Sequence, residues 1–291
     1  TQHHVNVKKV WGIPQFWLIW IALCMNVSAG IGVIGIASPM LQEVFGGNLL
    51  GVSKTFGQLD QSQLVSIGLI AAGFTALLSL FNIAGRFFWA SFSDKIGRKM
   101  TYVVFFVLGG VLYASIPASA GAGAQFLFVA AFCVILSMYG GAFATVPAYL
   151  ADIFGTQMVG AIHGRLLTAW STAGIIGPVV INYMREYQLG LGLPRSQVYN
   201  QSMYILVIFL VIGLIANLMV KPLNPKWYMT PDELAEEKRL AHDRAVSNEV
   251  GSGSLKAGVT PNWLIVAAWL FVGIPLAWGI WRTSLSAARF F

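Results

Sequence analysis

The chain has 291 residues, of which 57% are hydrophobic and only 10% are charged. Soluble domains carry roughly 25% charged residues, so the composition excludes an ordinary soluble domain and predicts an all-α polytopic membrane protein. The formal net charge of +7 is interpreted as a determinant of membrane orientation, and no nucleic-acid partner is expected.

Seven apolar runs have about the 20 residues that a transmembrane helix needs; they are 16–38, 64–92, 101–119, 125–150, 158–183, 202–220 and 263–281. The sequence shows no polar–apolar alternation long enough for a barrel strand, so helices are expected. A six-helix bundle over 16–221 follows a lead-in, 1–15, whose His3 and His4 are expected to be solvated rather than metal-bound. The long loops are predicted at 40–63 and 184–201.

Lys and Arg residues near the helix ends predict the orientation, because they are enriched in cytoplasmic loops. Twelve of them fall on the side of the N-terminus and of the 93–100 loop, and five fall on the opposite side. We therefore expect the lead-in and this loop to face the cytoplasm, with the protein as a multi-pass component of the cell (inner) membrane.

The first span contains the stretch GIGVIG at 30–35, which fits the dinucleotide-binding pattern G-x-G-x-x-G. That pattern requires a preceding strand and a helix that opens at the glycines, whereas these glycines lie inside an apolar run. We interpret them as small residues that let helices approach closely, and neither a cofactor nor a metal is expected.

The second span contains Arg86, a cation roughly 12 Å inside the helix end at 1.5 Å per residue. Such an arginine is costly unless it faces a wet cavity, pairs with an acid or extends to the interface, and no Asp or Glu falls within the first six runs. Thr75, Ser79, Asn82 and Arg86 share one helix face. This polar stripe predicts the wall of a cavity in which Arg86 binds an anion. The alternative is an arginine that extends to the cytoplasmic interface.

The next loop, SDKIGRK at 93–99, resembles the signature G-x-x-x-D-[RK]-x-G-[RK]-[RK] of the major facilitator superfamily, with Ala90 in place of its first glycine. Further stretches are similar to the oxalate/formate antiporter family: PQFWLIWIALCMNVSAGIG at 14–32, N-x-x-G-R at 82–86, PAYLADIFG at 147–155 and GRLLTAW at 164–170. The resemblance covers about 14–228. It implies the C-terminal six-helix bundle of a twelve-helix carrier, whose partner is an N-terminal six-helix half in the same or a separate chain.

In the family's oxalate carrier an arginine and a lysine clamp the two carboxylates, and the resemblance places that arginine at Arg86. The lysine's place falls at or near Trp170. We therefore expect a small carboxylate anion as substrate, formate rather than oxalate, because a second carboxylate would stay unpaired in a low-dielectric pocket. Ser79, Asn82 and the rings of Tyr139 and Trp170 are expected to line the site. Plain helix packing is the alternative for the two rings.

Four charged residues predict a gate at the cytoplasmic side: Asp94 and Arg98 in the loop, and Asp152 and Arg165 at facing ends of the fourth and fifth helices. We interpret them as a latch that is broken and remade during alternating access. The alternative is a set of ordinary interfacial charges.

Residues 222–260 predict a cytoplasmic helix and a flexible linker. Thr230, Pro231 and Glu233 supply an N-cap, a proline at the first helical position and a capping-box glutamate. The stretch 247–258, with GSGS at 251–254, predicts the linker. Residues 261–291 are expected to form an accessory transmembrane helix outside the transport core.

The residues together predict half of a secondary transporter for small organic anions rather than an enzyme. The alternative function is that of a seven-helix integral membrane subunit or sensor that binds without transporting.

Overall fold

The computed structural model describes residues 3–254 and, beyond them, residues 263, 266, 268–271, 273, 274, 277 and 278. The described residues form seven named α-helices, which are α1 (Pro14–Leu49), α2 (Gln61–Ile96), α3 (Arg98–Gly121), α4 (Gln125–Phe154), α5 (Val159–Gly190), α6 (Asn200–Met219) and α7 (Pro231–Ser254). The chain divides into two compact units, Thr1–Met229 with the first six helices and Thr230–Phe291 with α7.

Each of the first six helices is long and apolar enough to cross a membrane, which confirms the all-α polytopic fold for the described part of the chain. α1 and α5 run past their predicted ends to Leu49 and Gly190. The loops predicted at 40–63 and 184–201 are therefore longer than the loops in the structure. Helical hydrogen bonding continues in α1 through Gln42 and Glu43, two polar residues that hydropathy alone assigns to a loop.

The six helices alternate in direction, which gives the first unit two ends. The proximal end holds the start of α1 and the α2–α3 turn, and the distal end holds the end of α1 and the start of α2. A capping box starts α2: the Asp60 carboxylate accepts from the Gln63 N–H at 2.9 Å, and the Gln63 side chain accepts from the Asp60 N–H at 3.1 Å. Gly97 ends α2 with a φ of 85°, which strongly favours glycine.

Small residues bring the helix backbones together. A methyl group at Gly85 of α2 would overlap the Ser137 carbonyl of α4, and one at Gly140 of α4 would overlap the Asn82 carbonyl of α2. In their apolar windows, α1 and α4 are 67% and 56% buried, whereas α2 and α5 are only 22% and 28% buried. The bundle therefore has α1 and α4 at its centre and leaves one side of α2 and α5 open.

The lead-in packs on the proximal end. The backbone N–H of Val5, which is fully buried, donates to the last carbonyl of α4 at 2.9 Å. The His4 Nδ1 accepts from the Gln157 N–H at 3.3 Å, and the His3 ring stacks on Tyr228 with 4.7 Å between centroids. The prediction of a solvated tail is wrong for the half-buried His4, because Val5 anchors this segment to the bundle.

The second unit begins with the predicted capping box. Thr230 Oγ1 accepts from the Glu233 N–H at 3.2 Å, and Glu233 Oε2 accepts from the Thr230 N–H at 3.1 Å. α7 continues to Ser254, so the predicted linker is wrong for 247–254, and 255–258 lie outside the described residues. A glycine destabilises a helix by only about 1 kcal/mol relative to alanine, so the glycines of the GSGS stretch do not end α7. A proline would end it, but none follows Pro231 within α7. The predicted accessory helix over 261–291 lies mostly outside the described residues.

Candidate functional site

Arg86 lies on α2, ten residues before that helix ends at Ile96. At 1.5 Å per residue the distance along the helix is about 15 Å. The side chain is exposed on this chain. Within the described part of the chain the guanidinium has neither a hydrogen bond nor an ion pair. An unpaired arginine at this depth needs water or an anion, because its charge is poorly solvated by hydrocarbon.

Aromatic rings from α4 and α5 lie beside Arg86. The hydroxyl of Tyr139 lies close enough to Arg86 for the two groups to interact electrostatically. Phe143 joins the two rings, with its centroid 5.2 Å from that of Tyr139 and 5.3 Å from that of Trp170, both in edge-on geometry. The structure therefore brings together three residues predicted for the substrate site. Phe143 was missed, although it follows Tyr139 by four residues and so shares its helix face.

Gly30 positions the Tyr139 ring. A methyl group at Gly30 would overlap that ring, and one at Gly32 would overlap Ile181 of α5. The packing role predicted for the small residues of α1 is confirmed at these two positions. At Gly35 a methyl group would meet open space, so this glycine takes no part in the close approach.

The polar stripe of α2 borders a separate cavity. Thr75, Ser79 and Asn82 line a space of about 210 Å³, with side chains of α1 and α4 on its other walls. The hydroxyls of Thr75 and Ser79 each donate at 3.0 Å to the carbonyl four residues earlier in their own helix. Arg86, one turn further along α2, is not among the lining residues. The stripe and Arg86 thus lie on one helix but do not surround one pocket.

Three of the four predicted gate residues meet at the proximal end. Arg98 forms an ion pair with Asp94 within the α2–α3 turn, and its Nε lies 3.9 Å from Asp152 Oδ2 at the end of α4. The Arg98 side chain is half-buried, whereas those of Asp94 and Asp152 are exposed. It also donates to the Ser93 hydroxyl.

Arg165 is not part of that cluster. Its guanidinium donates to the Val7 carbonyl and lies 5.7 Å from the centroid of the Trp11 ring. Both partners belong to the lead-in, for which no contact with Arg165 was predicted. No ion pair joins Arg165 to Asp152 in this structure, and the Val7 carbonyl accepts one of the donors of Arg165.

Sequence reasoning missed a second charged cluster, at the distal end. The Glu43 carboxylate accepts from Arg185 Nη2 at 2.6 Å and from the Tyr199 hydroxyl at 2.7 Å, and Arg195 Nη1 lies 3.5 Å from it. Only 5% of the Glu43 side chain is exposed. Because α1 was predicted to end at 38, Glu43 was assigned to a loop. The apolar residues Leu41 and Phe45 around it were the available signal for a continuing helix.

No cluster of three or more His, Cys, Asp and Glu side chains that could hold a metal ion occurs among the described residues. The geometry offers instead an unpaired cation beside aromatic rings in a bundle of apolar helices. The model of the family described as "Major Facilitator Superfamily" matches residues 2–178 and 57–288.

The chain belongs to the major facilitator superfamily. Among curated relatives, the oxalate:formate antiporter of Oxalobacter formigenes is 29% identical over 177 residues, which are 61% of this chain and 37% of the antiporter. The uncharacterized MFS-type transporter YhjX of Escherichia coli (strain K12) is 24% identical over 56% of this chain and 35% of YhjX. Synaptic vesicle glycoprotein 2C of Homo sapiens is 24% identical over 58% of this chain and 24% of that protein.

This major facilitator chain therefore aligns with about a quarter to a third of the length of the curated relatives it matches. Membership identifies it as a multi-pass membrane protein of a transporter family rather than as an enzyme family member.

Proposed function

We propose that this chain is one half of a secondary carrier that exchanges small organic anions, such as formate or oxalate, by alternating access. Arg86 is the carboxylate ligand in this proposal. The observation that carries it is the unpaired guanidinium of Arg86, exposed on α2 near Tyr139. The similarity to an oxalate:formate antiporter supports the same substrate class.

Arginine suits this role because its planar guanidinium can give two parallel hydrogen bonds to one carboxylate. The Tyr139 hydroxyl is a further donor next to it. Phe143 and Trp170 add apolar rings to one side of the site, which lowers the local dielectric and strengthens the interaction between guanidinium and carboxylate. Ser79 and Asn82 border the neighbouring cavity on the same helix and would contact an anion on its way to Arg86.

A monocarboxylate fits the charge of the site better than a dicarboxylate. The resemblance to the antiporter family implies a lysine where this chain has Trp170, and an indole carries no charge. One guanidinium neutralises one carboxylate, whereas a second carboxylate would remain unpaired beside Phe143 and Trp170. Formate is therefore the preferred substrate in this proposal.

The open sides of α2 and α5 favour an N-terminal six-helix half as the partner of this chain. These helices carry exposed apolar side chains, among them Ile83, Phe87, Ile175 and Val179. In a two-half carrier such surfaces face the other half and enclose the substrate between them. The lipid bilayer, in the inner membrane of the cell, surrounds the remaining helices.

The proximal cluster is the cytoplasmic latch of the carrier in this proposal. Arg98 connects the α2–α3 turn to the end of α4 through Asp94 and Asp152. A change in the angle between these helices separates the weaker contact, that of Arg98 with Asp152 at 3.9 Å. Arg165 is not part of this latch and instead contacts the lead-in.

The test is to measure binding and transport in the full-length protein with Arg86→Gln and Arg86→Lys. Arg86→Gln removes a charge-assisted hydrogen bond worth about 1.5–3 kcal/mol, so formate binding should weaken roughly 10- to 150-fold. Arg86→Lys keeps the charge but loses the bidentate geometry, so it should rescue binding only in part. Lys8→Gln, which removes one exposed charge at the proximal end, is the matched control and should bind normally.

Two outcomes contradict parts of the proposal. Normal formate binding by Arg86→Gln would show that Arg86 is not the carboxylate ligand. Formate binding that depends on Arg86, without any exchange in liposomes, would favour a membrane subunit or sensor over a carrier.

A further inference from the structure

The distal end of the first unit contains a cavity of about 580 Å³. Its walls are the end of α1, the α1–α2 loop and the α5–α6 loop. The charged side chains that line it are Glu43, Lys54 and Arg195. This cavity lies at the end of the bundle opposite the proximal latch, and neither the superfamily match nor the Arg86 site assigns it a role.

The charge of Glu43 is already compensated by Arg185, which does not line the cavity. Arg185 and Tyr199 hold its carboxylate at 2.6 and 2.7 Å, and Arg185 Nε also donates to the Tyr199 hydroxyl at 3.0 Å. Arg195 makes the longest contact of the three, at 3.5 Å. The ion pair of Glu43 with Arg185 leaves the positive charges of Arg195 and Lys54 in excess over the cavity.

Arg195 is placed to exchange one carboxylate for another. Its side chain is 55% exposed, and its guanidinium lies 6.0 Å from the centroid of the Phe56 ring across the cavity wall. Lys54 is exposed on the facing loop. The nearby Asp60, which does not line the cavity, offsets part of its charge and also accepts hydrogen bonds from Ser62 and Gln63 at the start of α2. Two accessible cations beside a space far larger than a small carboxylate favour capture of a hydrated anion.

We infer that this cavity is a receiving site for small carboxylates at the distal end of the carrier. The incoming carboxylate binds Lys54 and replaces Glu43 on Arg195, while Arg185 and Tyr199 retain Glu43. The site raises the local concentration of the anion before it moves on to Arg86. The inference rests on the proposed substrate class, but it concerns different residues and a different end of the bundle.

A binding experiment isolates this site from Arg86. The full-length protein carrying Arg86→Gln is titrated with [13C]formate, and binding is measured by 13C line broadening. We expect a weak site that persists without Arg86 and weakens as salt is raised, because exposed charges are screened. Adding Lys54→Gln and Arg195→Gln should raise its Kd about five- to tenfold.

Matched variants control for charge and folding. Lys54→Arg and Arg195→Lys keep both charges and should keep the Kd within about twofold. Lys8→Gln at the proximal end should leave it unchanged. Lys54→Gln alone, at an exposed loop position, supplies the test if the Arg195 variant does not fold. The inference would be overturned if the Arg86→Gln protein bound no formate. It would also be overturned if the Kd did not change when Lys54 and Arg195 are replaced with glutamine.

Transport separates this inference from the proposed function. With Arg86 present, Lys54→Gln with Arg195→Gln should raise the KM for formate presented to the distal end and leave unchanged both the KM at the proximal end and the maximal rate. Equal KM values at both ends, with exchange intact, would overturn the receiving site and leave the Arg86 proposal standing. If the wild-type protein exchanges no carboxylate, the proposed function fails, and the binding titration still decides the receiving site.

Discussion

Replacing Glu43 with glutamine tests the energetics of the distal cluster. Glu43 is 5% exposed and receives hydrogen bonds from Arg185 and Tyr199 on its two oxygens. Glutamine keeps the volume but presents an NH₂ group where one carboxylate oxygen was. That group faces a donor, so either Arg185 or Tyr199 loses its acceptor, and Arg185 loses its buried counter-charge.

The magnitude follows from the surroundings of Arg185. Removing one partner of a buried ion pair costs about 3–5 kcal/mol, because the other charge stays buried and uncompensated. Arg185 is 22% exposed and keeps a contact with Glu186 at 3.3 Å, so part of its charge remains solvated. We therefore expect Glu43→Gln to lower the free energy of unfolding by about 2–3 kcal/mol.

The assay is denaturant unfolding of the purified protein in detergent, with a double-mutant cycle over Glu43→Gln and Arg185→Gln. Because each single change leaves an unpaired group, the double variant should be less destabilised than the sum by about 2 kcal/mol. Glu186→Gln, at a side chain that is 73% exposed, is the control and should change the stability by less than about 0.5 kcal/mol. Additive effects in the cycle, or a loss of unfolding free energy below about 1 kcal/mol for Glu43→Gln, would show that the ion pair of Glu43 with Arg185 does not stabilise the fold as expected.

Three further predictions concern transport. Trp170→Lys restores a second cation near Arg86, so the ratio of oxalate to formate affinity should rise about tenfold or more; competition binding checks it, and an unchanged ratio contradicts it. Asp94→Asn weakens the hold on Arg98 at the latch, so formate exchange should slow while its Kd stays within about twofold; a large rise in Kd with unchanged exchange would indicate direct binding. Truncation after Ser254 removes the predicted accessory helix, and uptake per folded molecule should stay near that of the full chain, whereas its collapse in a folded protein would place the segment in the core.

Hydropathy and short motifs were enough to predict the six helices and the turn at Gly97, because lipid-spanning length and the positive φ of a tight turn are local properties of the sequence. The helix ends were harder. α1 continues through Glu43 because Arg185 and Tyr199 stabilise that carboxylate. Both residues lie more than 140 positions away, so the sequence around Glu43 does not identify its partners, although Leu41 and Phe45 were a local signal for a continuing helix.

The candidate site, like the helices, was predicted only in part. Arg86 stood out because a single charge in an apolar helix is visible in the sequence. The family resemblance pointed to Trp170, and Tyr139 was expected to line the site as an aromatic ring. The contact of Arg165 with Val7 could not be foreseen, since it depends on a lead-in that folds back onto the proximal end. The separation of Arg86 from the cavity beside Ser79 depends on how α1 and α4 pack against α2.

The central claim is that this chain binds a carboxylate at Arg86 and moves it across a membrane. Counterflow tests it most directly: the full-length protein is reconstituted in liposomes loaded with unlabelled formate, and entry of labelled formate is followed. We expect transient accumulation of label with the wild-type protein and with Lys8→Gln, and none above protein-free liposomes with Arg86→Gln. Absence of accumulation with a folded wild-type protein, or equal accumulation with Arg86→Gln, would contradict the claim.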